Sequence, residues 1–110
     1  MNQYVYLFTA IAAEVIATSS LKSSAVFTKL IPSLVSISGY VVAFYFLSLA
    51  LRTMPTAIAY AIWSGIGVGG IAIVAWLFQG QKLDAPAMIG ILFIVLGVII
   101  IYGLSDTVAQ

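Results

Sequence analysis

One carboxyl group dominates the chemistry open to this chain. Glu14 lies inside the apolar run of residues 4–21, roughly 15 Å into a helix about 26 Å long at 1.5 Å per residue. A carboxylate at the middle of a bilayer costs several kcal/mol unless it is protonated, paired or in contact with water. The other six charges, Lys22, Lys29, Arg52, Lys82, Asp84 and Asp106, fall at segment ends or in connections, so no cation of the same chain is placed at that depth to pair with it. An exchangeable proton held there is what a proton carrier requires, and an isolated acid in a membrane segment marks a functional site by default. The bland counterpart is a carboxyl kept permanently neutral by a Ser, Thr or Tyr hydroxyl of a neighbouring helix. Leu7, Ala10, Ile11, Ala17, Thr18 and Leu21 share its helical face at spacings of three and four. Half of these are small, so that face is a pocket wall or a packing seam, and periodicity permits both.

The second group with chemical reach is aromatic. Tyr60, Trp63 and Gly67 recur at i, i+3 and i+7 on one face. Aromatic belts at the membrane interface account for Tyr4, Tyr6 and Tyr102 near the chain ends, but not for Trp63 or Tyr40, which lie well inside their segments. Aromatic faces attract organic cations, most strongly where water is excluded; ordinary packing is the alternative. Gly65, Gly67, Gly69 and Gly70 follow at once. Glycines so dense weaken a helix and invite a kink, or they allow close helix contact. Gly90 and Gly97, seven residues apart with Phe93, Ile94 and Ile101, form a stripe on a segment without charges, which reads as a dimerisation seam.

The elements that position these residues follow from composition. Of 110 residues 64% are hydrophobic and 6% charged, against about a quarter charged in an average globular chain. A chain this small cannot bury so much apolar surface, which excludes a soluble domain. A net charge of +1 offers no basic patch for nucleic acid, and with no Cys and no His there is no disulfide frame, no Cys/His metal site and no His-based catalysis. Four stretches reach the roughly 20 residues of a membrane helix: 4–21, 31–51, 56–78 and 86–104. They are continuously apolar rather than alternating, which argues against a β-barrel. The expected fold is an all-α integral membrane domain of four helices spanning residues 1–110, with short connections at residues 22–30, 52–55 and 79–85. Lys22, Lys29 and Lys82 lie on one side and Arg52 on the other, a bias small enough to permit insertion in both orientations.

Several motifs together are similar to the small multidrug resistance family. They are Ala13-Glu14-Val15-Ile16 leading to Lys22, Phe27-Thr28-Lys29 with Pro32-Ser33, Pro55 with Ala59-Tyr60-Ala61-Ile62-Trp63-Ser64-Gly65-Ile66-Gly67, Gly80-Gln81-Lys82-Leu83-Asp84-Ala85-Pro86, and the Gly90 to Gly97 spacing. The resemblance covers essentially the whole chain. It implies a bacterial inner-membrane antiporter, an antiparallel dual-topology homodimer that exchanges protons for lipophilic or quaternary ammonium cations. Carried over residue by residue, Glu14 is the shared proton and substrate site. Tyr60, Trp63 and Tyr40 line an aromatic pocket, with Ala10, Ile11 and Thr18 as its first-helix wall. Lys22 stands at the mouth, Gly65 and Gly67 form a moving kink, and Gly90 and Gly97 make the dimer contact. The chain departs from the family pattern where glycine is common, at Ala17, Val26 and Ala57, and at Asp106, where multidrug members often carry a basic residue. Ala17 narrows the space beside Glu14. The family's guanidinium exporters usually carry Trp two residues after the Glu; Ile16 occupies that position here, favouring the multidrug branch.

These readings converge on one scheme. Protonation and cation binding are two ways of neutralising the same carboxyl, so each displaces the other. No cofactor, metal or covalent chemistry is required, and the expected partners are protons, small lipophilic cations, a second copy of the chain and membrane lipid. Other classes compete: guanidinium export within the family, a small dual-topology ion channel, a proton-conducting rotor subunit, and a lipid-carrier flippase subunit.

Overall fold

A computed structural model describes residues 2–106. The described residues form four helices: α1 (Gln3–Ser23), α2 (Leu30–Ala50), α3 (Thr56–Phe78) and α4 (Ala85–Leu104). At 20 to 23 residues each is long enough to cross a hydrocarbon core of about 30 Å. Their outward surfaces are apolar, as a lipid-facing helix requires: Ile37, Val41 and Phe44 on α2 and Leu92, Phe93 and Ile99 on α4 are all exposed. The chain divides into two compact units, one holding α1 and α2 and one holding α3 and α4, and each is a helical hairpin.

In the first hairpin the capping is local and explicit. The Asn2 side chain accepts the Tyr4 amide at 2.7 Å, closing the start of α1. At its other end Ser24 is fully buried. Its hydroxyl donates to the Leu21 carbonyl (2.6 Å) and accepts from the Phe27 amide (3.1 Å), and its carbonyl accepts from the Thr28 and Lys29 amides. This clasp holds Ala25, Val26 and Phe27 in a left-handed turn with φ of 49°, 63° and 62°. Such a backbone costs roughly 1–2 kcal/mol per residue, and is least tolerated by β-branched Val26. The Val26 side chain is 89% exposed, so little packing offsets that cost. Val26→Gly is therefore expected to stabilise the protein by about 1 kcal/mol, strain relief less the backbone entropy of glycine. Thermal unfolding in detergent measures it; a less stable variant would show that the exposed valine makes a stabilising contact of its own.

The α2 surface that faces α1 is built from small residues. On α2 the buried positions are Ser33, Ser36, Ala43 and Ala50, and on α1 Leu7, Ala10, Ile11 and Ala17. Gly39 makes the closest approach: a methyl group there would lie 2.8 Å from Ala17 Cβ and 3.1 Å from the Ala13 carbonyl oxygen. Small residues at such a crossing let two backbones meet, which is how membrane helices gain packing without a hydrophobic driving force. Tyr6 and Phe46 close one end, with ring centroids 6.2 Å apart.

The second hairpin turns at Gly80, whose φ of 68° suits glycine without strain. That turn brings the Gln81 amide back to the Ala75 carbonyl at 3.0 Å. Asp84 then caps α4, its carboxylate accepting the Ala87 amide at 3.0 Å, and Pro86 occupies the first turn where its missing N–H costs nothing. α3 runs unbroken through its four glycines. At Gly65 an added methyl would overlap a methyl of Val98, so this glycine is where α4 reaches α3.

Candidate functional site

Glu14 sits near the middle of α1 and is half-buried. Helical spacing places Thr18 one turn further on, and the Thr18 hydroxyl donates to Glu14 Oε1 at 2.8 Å. The same hydroxyl lies 2.7 Å from the Tyr40 hydroxyl of α2. Three of the expected site residues thus form one hydrogen-bonded chain, Glu14–Thr18–Tyr40, joining the two helices at the depth of the carboxyl. The close approach at Gly39 and Ala17 makes this possible, since each immediately precedes a member of the chain. Tyr40 is itself fixed by Phe44, its ring stacked at 6.3 Å with an interplanar angle of 21°.

Polar groups so arranged can stabilise a carboxylate by hydrogen bonding to its charged form, or hold a neutral acid in place. The cation that would pair with a carboxylate is absent from the sequence of α1 and α2 at this depth, as Lys22, Lys29 and Arg52 lie at or beyond the helix ends. The carboxyl is therefore a fixed, hydrogen-bonded acid whose charge a proton or an external cation can neutralise. Among the described residues no cluster of three or more acidic, His or Cys side chains could hold a metal ion.

Of the other expected positions, Ala10 and Ile11 lie on the Glu14 side of α1 and are buried. Tyr60 and Trp63 meet edge to face on α3, with centroids 6.1 Å apart and planes at 65°, and Tyr60 is 65% exposed. Gly65 and Gly67 are buried on α3. An added methyl at Gly90 or Gly97 would meet nothing within 4 Å among the described residues. Lys22 is exposed in the last turn of α1.

Sequence reasoning did not single out Gly39, the residue that sets the α1–α2 distance. The available signal was the run of small residues on α2 at positions 33, 36, 43 and 50, which repeats at helical spacing around it. Nor did it single out Ser36, whose fully buried hydroxyl has no hydrogen-bond partner among the described residues. Beside Gly39 an open apolar groove runs between the helices, walled by Ala13, Ile16, Val35 and Val42.

Four membrane-length helices carrying a single intramembrane acid have the make-up of a small integral membrane transporter. Comparison with known proteins agrees. The family profile described as Small Multidrug Resistance protein matches residues 2–94. The chain is 54% identical over 110 residues to the quaternary ammonium compound-resistance protein QacE of Escherichia coli, and 52% identical over 110 residues to QacF, a protein of the same description from Klebsiella aerogenes. Both alignments cover all of each chain. It is 50% identical over 105 residues to the multidrug transporter EmrE of Escherichia coli strain K12, with 96% of each chain covered. The chain belongs to the small multidrug resistance family. It is a multi-pass protein of the bacterial inner membrane, a multidrug efflux transporter and not an enzyme.

Proposed function

We propose that this protein exports lipophilic and quaternary ammonium cations in exchange for protons, with both competing for Glu14. The observation that carries the reading is the placement of the chain's one intramembrane acid, half-buried at mid-helix and held by Thr18 without a cation of its own. A buried carboxyl in that state binds either a proton or a positively charged guest, and not both at full strength. The quaternary ammonium compounds named for QacE and QacF are guests of the right charge and greasiness.

The working unit in this proposal is an antiparallel homodimer, with Gly90 and Gly97 at the contact and two Glu14 carboxyls in a common chamber. Neutralisation of that pair by protons on one side and by a cation on the other gives exchange, provided the chamber opens to one side at a time. Gly65 and Gly67 are the positions at which α3 bends between the two states. Tyr60 and Trp63 offer a face to flat aromatic cations that sets no fixed hydrogen-bond geometry, consistent with a broad substrate range. Tyr40, Ala10, Ile11 and Thr18 complete the wall.

Purified protein in liposomes tests the reading. An acidic interior is expected to drive accumulation of tetraphenylphosphonium or ethidium, and accumulation is expected to stop when the pH difference is abolished. Cation flux that ignores the pH difference would mean a channel, and accumulation of guanidinium alone would move the protein to the guanidinium branch. Trp63→Ala is expected to weaken binding of flat aromatic cations by more than about 1 kcal/mol, roughly fivefold, the scale of a partly desolvated cation–π contact. Unchanged affinities across a series of cations would make Trp63 a packing residue.

A further inference from the structure

Thr18 stands between Glu14 and Tyr40, and the number of its hydrogens gives that position a direction. A threonine hydroxyl carries one hydrogen. It is donated to Glu14 Oε1 at 2.8 Å, so the hydrogen in the 2.7 Å gap to Tyr40 belongs to the phenol. With Glu14 charged, the chain runs from the Tyr40 O–H to Thr18 and from the Thr18 O–H to the carboxylate. A proton on Oε2 would leave the Thr18 bond as it is, but one arriving on Oε1, the oxygen that faces Thr18, cannot share that gap with the threonine hydrogen. The acid then donates to Thr18, the threonine hydrogen turns onto the Tyr40 oxygen, and the phenolic hydrogen leaves the line.

We propose that Thr18 and Tyr40 form a reversing hydrogen-bond relay that reports the protonation of Glu14 on α1 to α2. No proton passes along it; each hydroxyl keeps its own hydrogen, and the incoming proton is taken by Oε1 and stays there. The Tyr40 ring is held by its stacking on Phe44, so the response is a swing of the O–H and not of the side chain. Resting on the proposed exchange of protons for cations at Glu14, the relay separates the two ways of neutralising it. A bound cation leaves the carboxylate an acceptor and the phenolic hydrogen turned inward, whereas a proton turns it outward. The second helix therefore differs between the proton-loaded and cation-loaded states even though the net charge at Glu14 is cancelled in both. Thr18 is a positioning residue in this scheme.

The groups that could confuse a titration are few. α2 packs against α1 and carries no Asp, Glu, Lys or Arg; Tyr40 faces Glu14 through Thr18, and its other titratable side chain, Tyr45, is exposed. On α1 itself the remaining titratable groups are Tyr4, Tyr6 and Lys22.

Nuclear magnetic resonance of protein with tyrosines carbon-labelled beside the hydroxyl, in lipid nanodiscs, tests the relay, with Tyr40→Phe to assign the signal. The wild-type Tyr40 signal is expected to step with the same midpoint as the Glu14 carboxyl, and saturating tetraphenylphosphonium above that midpoint is expected to leave it in its high-pH position. Thr18→Val is expected to remove the step from Tyr40 while Glu14 goes on exchanging its proton, and Thr18→Ser is expected to preserve it. A Tyr40 signal that stays flat while Glu14 titrates overturns the relay alone, as does a step that persists in Thr18→Val. If Glu14 itself does not titrate and Glu14→Gln releases protons like the wild type, the exchange reading fails and takes the relay with it. The wild-type titration decides the matter even if the valine variant does not fold.

Discussion

Glu14→Gln is expected to abolish pH-driven accumulation of organic cations in liposomes, a fall of about 100-fold or more, which is about 2.7 kcal/mol at 1.36 kcal/mol per decade. The substitution is nearly isosteric. The amide oxygen can still accept the Thr18 hydroxyl, which reaches Oε1 at 2.8 Å in the parent, so the contact between α1 and α2 is kept. What is lost is the ability to carry a charge or exchange a proton, and with it the competition between the two guests. Circular dichroism and elution volume in detergent are expected to match the parent. Accumulation that persists in Glu14→Gln and still follows the pH difference would contradict the mechanism outright.

The second large effect is structural and lies at Gly39. In Gly39→Ala the new methyl would sit 2.8 Å from Ala17 Cβ, 3.1 Å from the Ala13 carbonyl oxygen and 3.2 Å from Ala17 Cα. Two of these three atoms are backbone, so no rotamer change relieves the overlap and the helices must part. Overpacking of this kind costs about 1–3 kcal/mol. Since Gly39 precedes Tyr40 and Ala17 precedes Thr18, the same displacement is expected to stretch the 2.7 Å contact between the two hydroxyls. Ala17→Gly in the Gly39→Ala background removes the methyl–methyl contact and leaves those to backbone, so partial rescue is expected. Thermal unfolding of the three variants in detergent measures both effects. Gly39→Ala as stable as the parent, or a double variant no better than the single, would show that the helices are not held at this point.

The four helices were legible because a membrane span needs about 20 apolar residues and little else in a chain of this composition imitates one. Their ends shifted only slightly. α1 runs to Ser23 where the apolar run suggested residue 21, since Ser24 supplies the closing hydrogen bonds, and α2 lies one residue earlier than the span 31–51. The helical period placed Leu7, Ala10, Ile11 and Ala17 together on the Glu14 face, and all four are buried. The depth of Tyr40 within its segment marked it as more than an interface residue. Its place beside Glu14 came from the resemblance to a family, because spacing within one helix does not say which residue of another it meets. The Ala25-Val26-Phe27 turn was illegible for a plainer reason. None of those residues favours a left-handed backbone; it is imposed by Ser24 and the need to reverse the chain within a few residues. Gly39 and Gly65 look alike in sequence as helix glycines, yet one meets an alanine methyl and backbone and the other a valine side chain.

Proton release from detergent-solubilised protein on adding tetraphenylphosphonium, with wild type and Glu14→Gln in parallel, tests the central claim most directly. Near the pH at which Glu14 is protonated, wild type is expected to release protons in proportion to the cation bound, and Glu14→Gln none. Cation binding by wild type without any proton release would contradict competition at Glu14 and leave that carboxyl a structural, permanently hydrogen-bonded group.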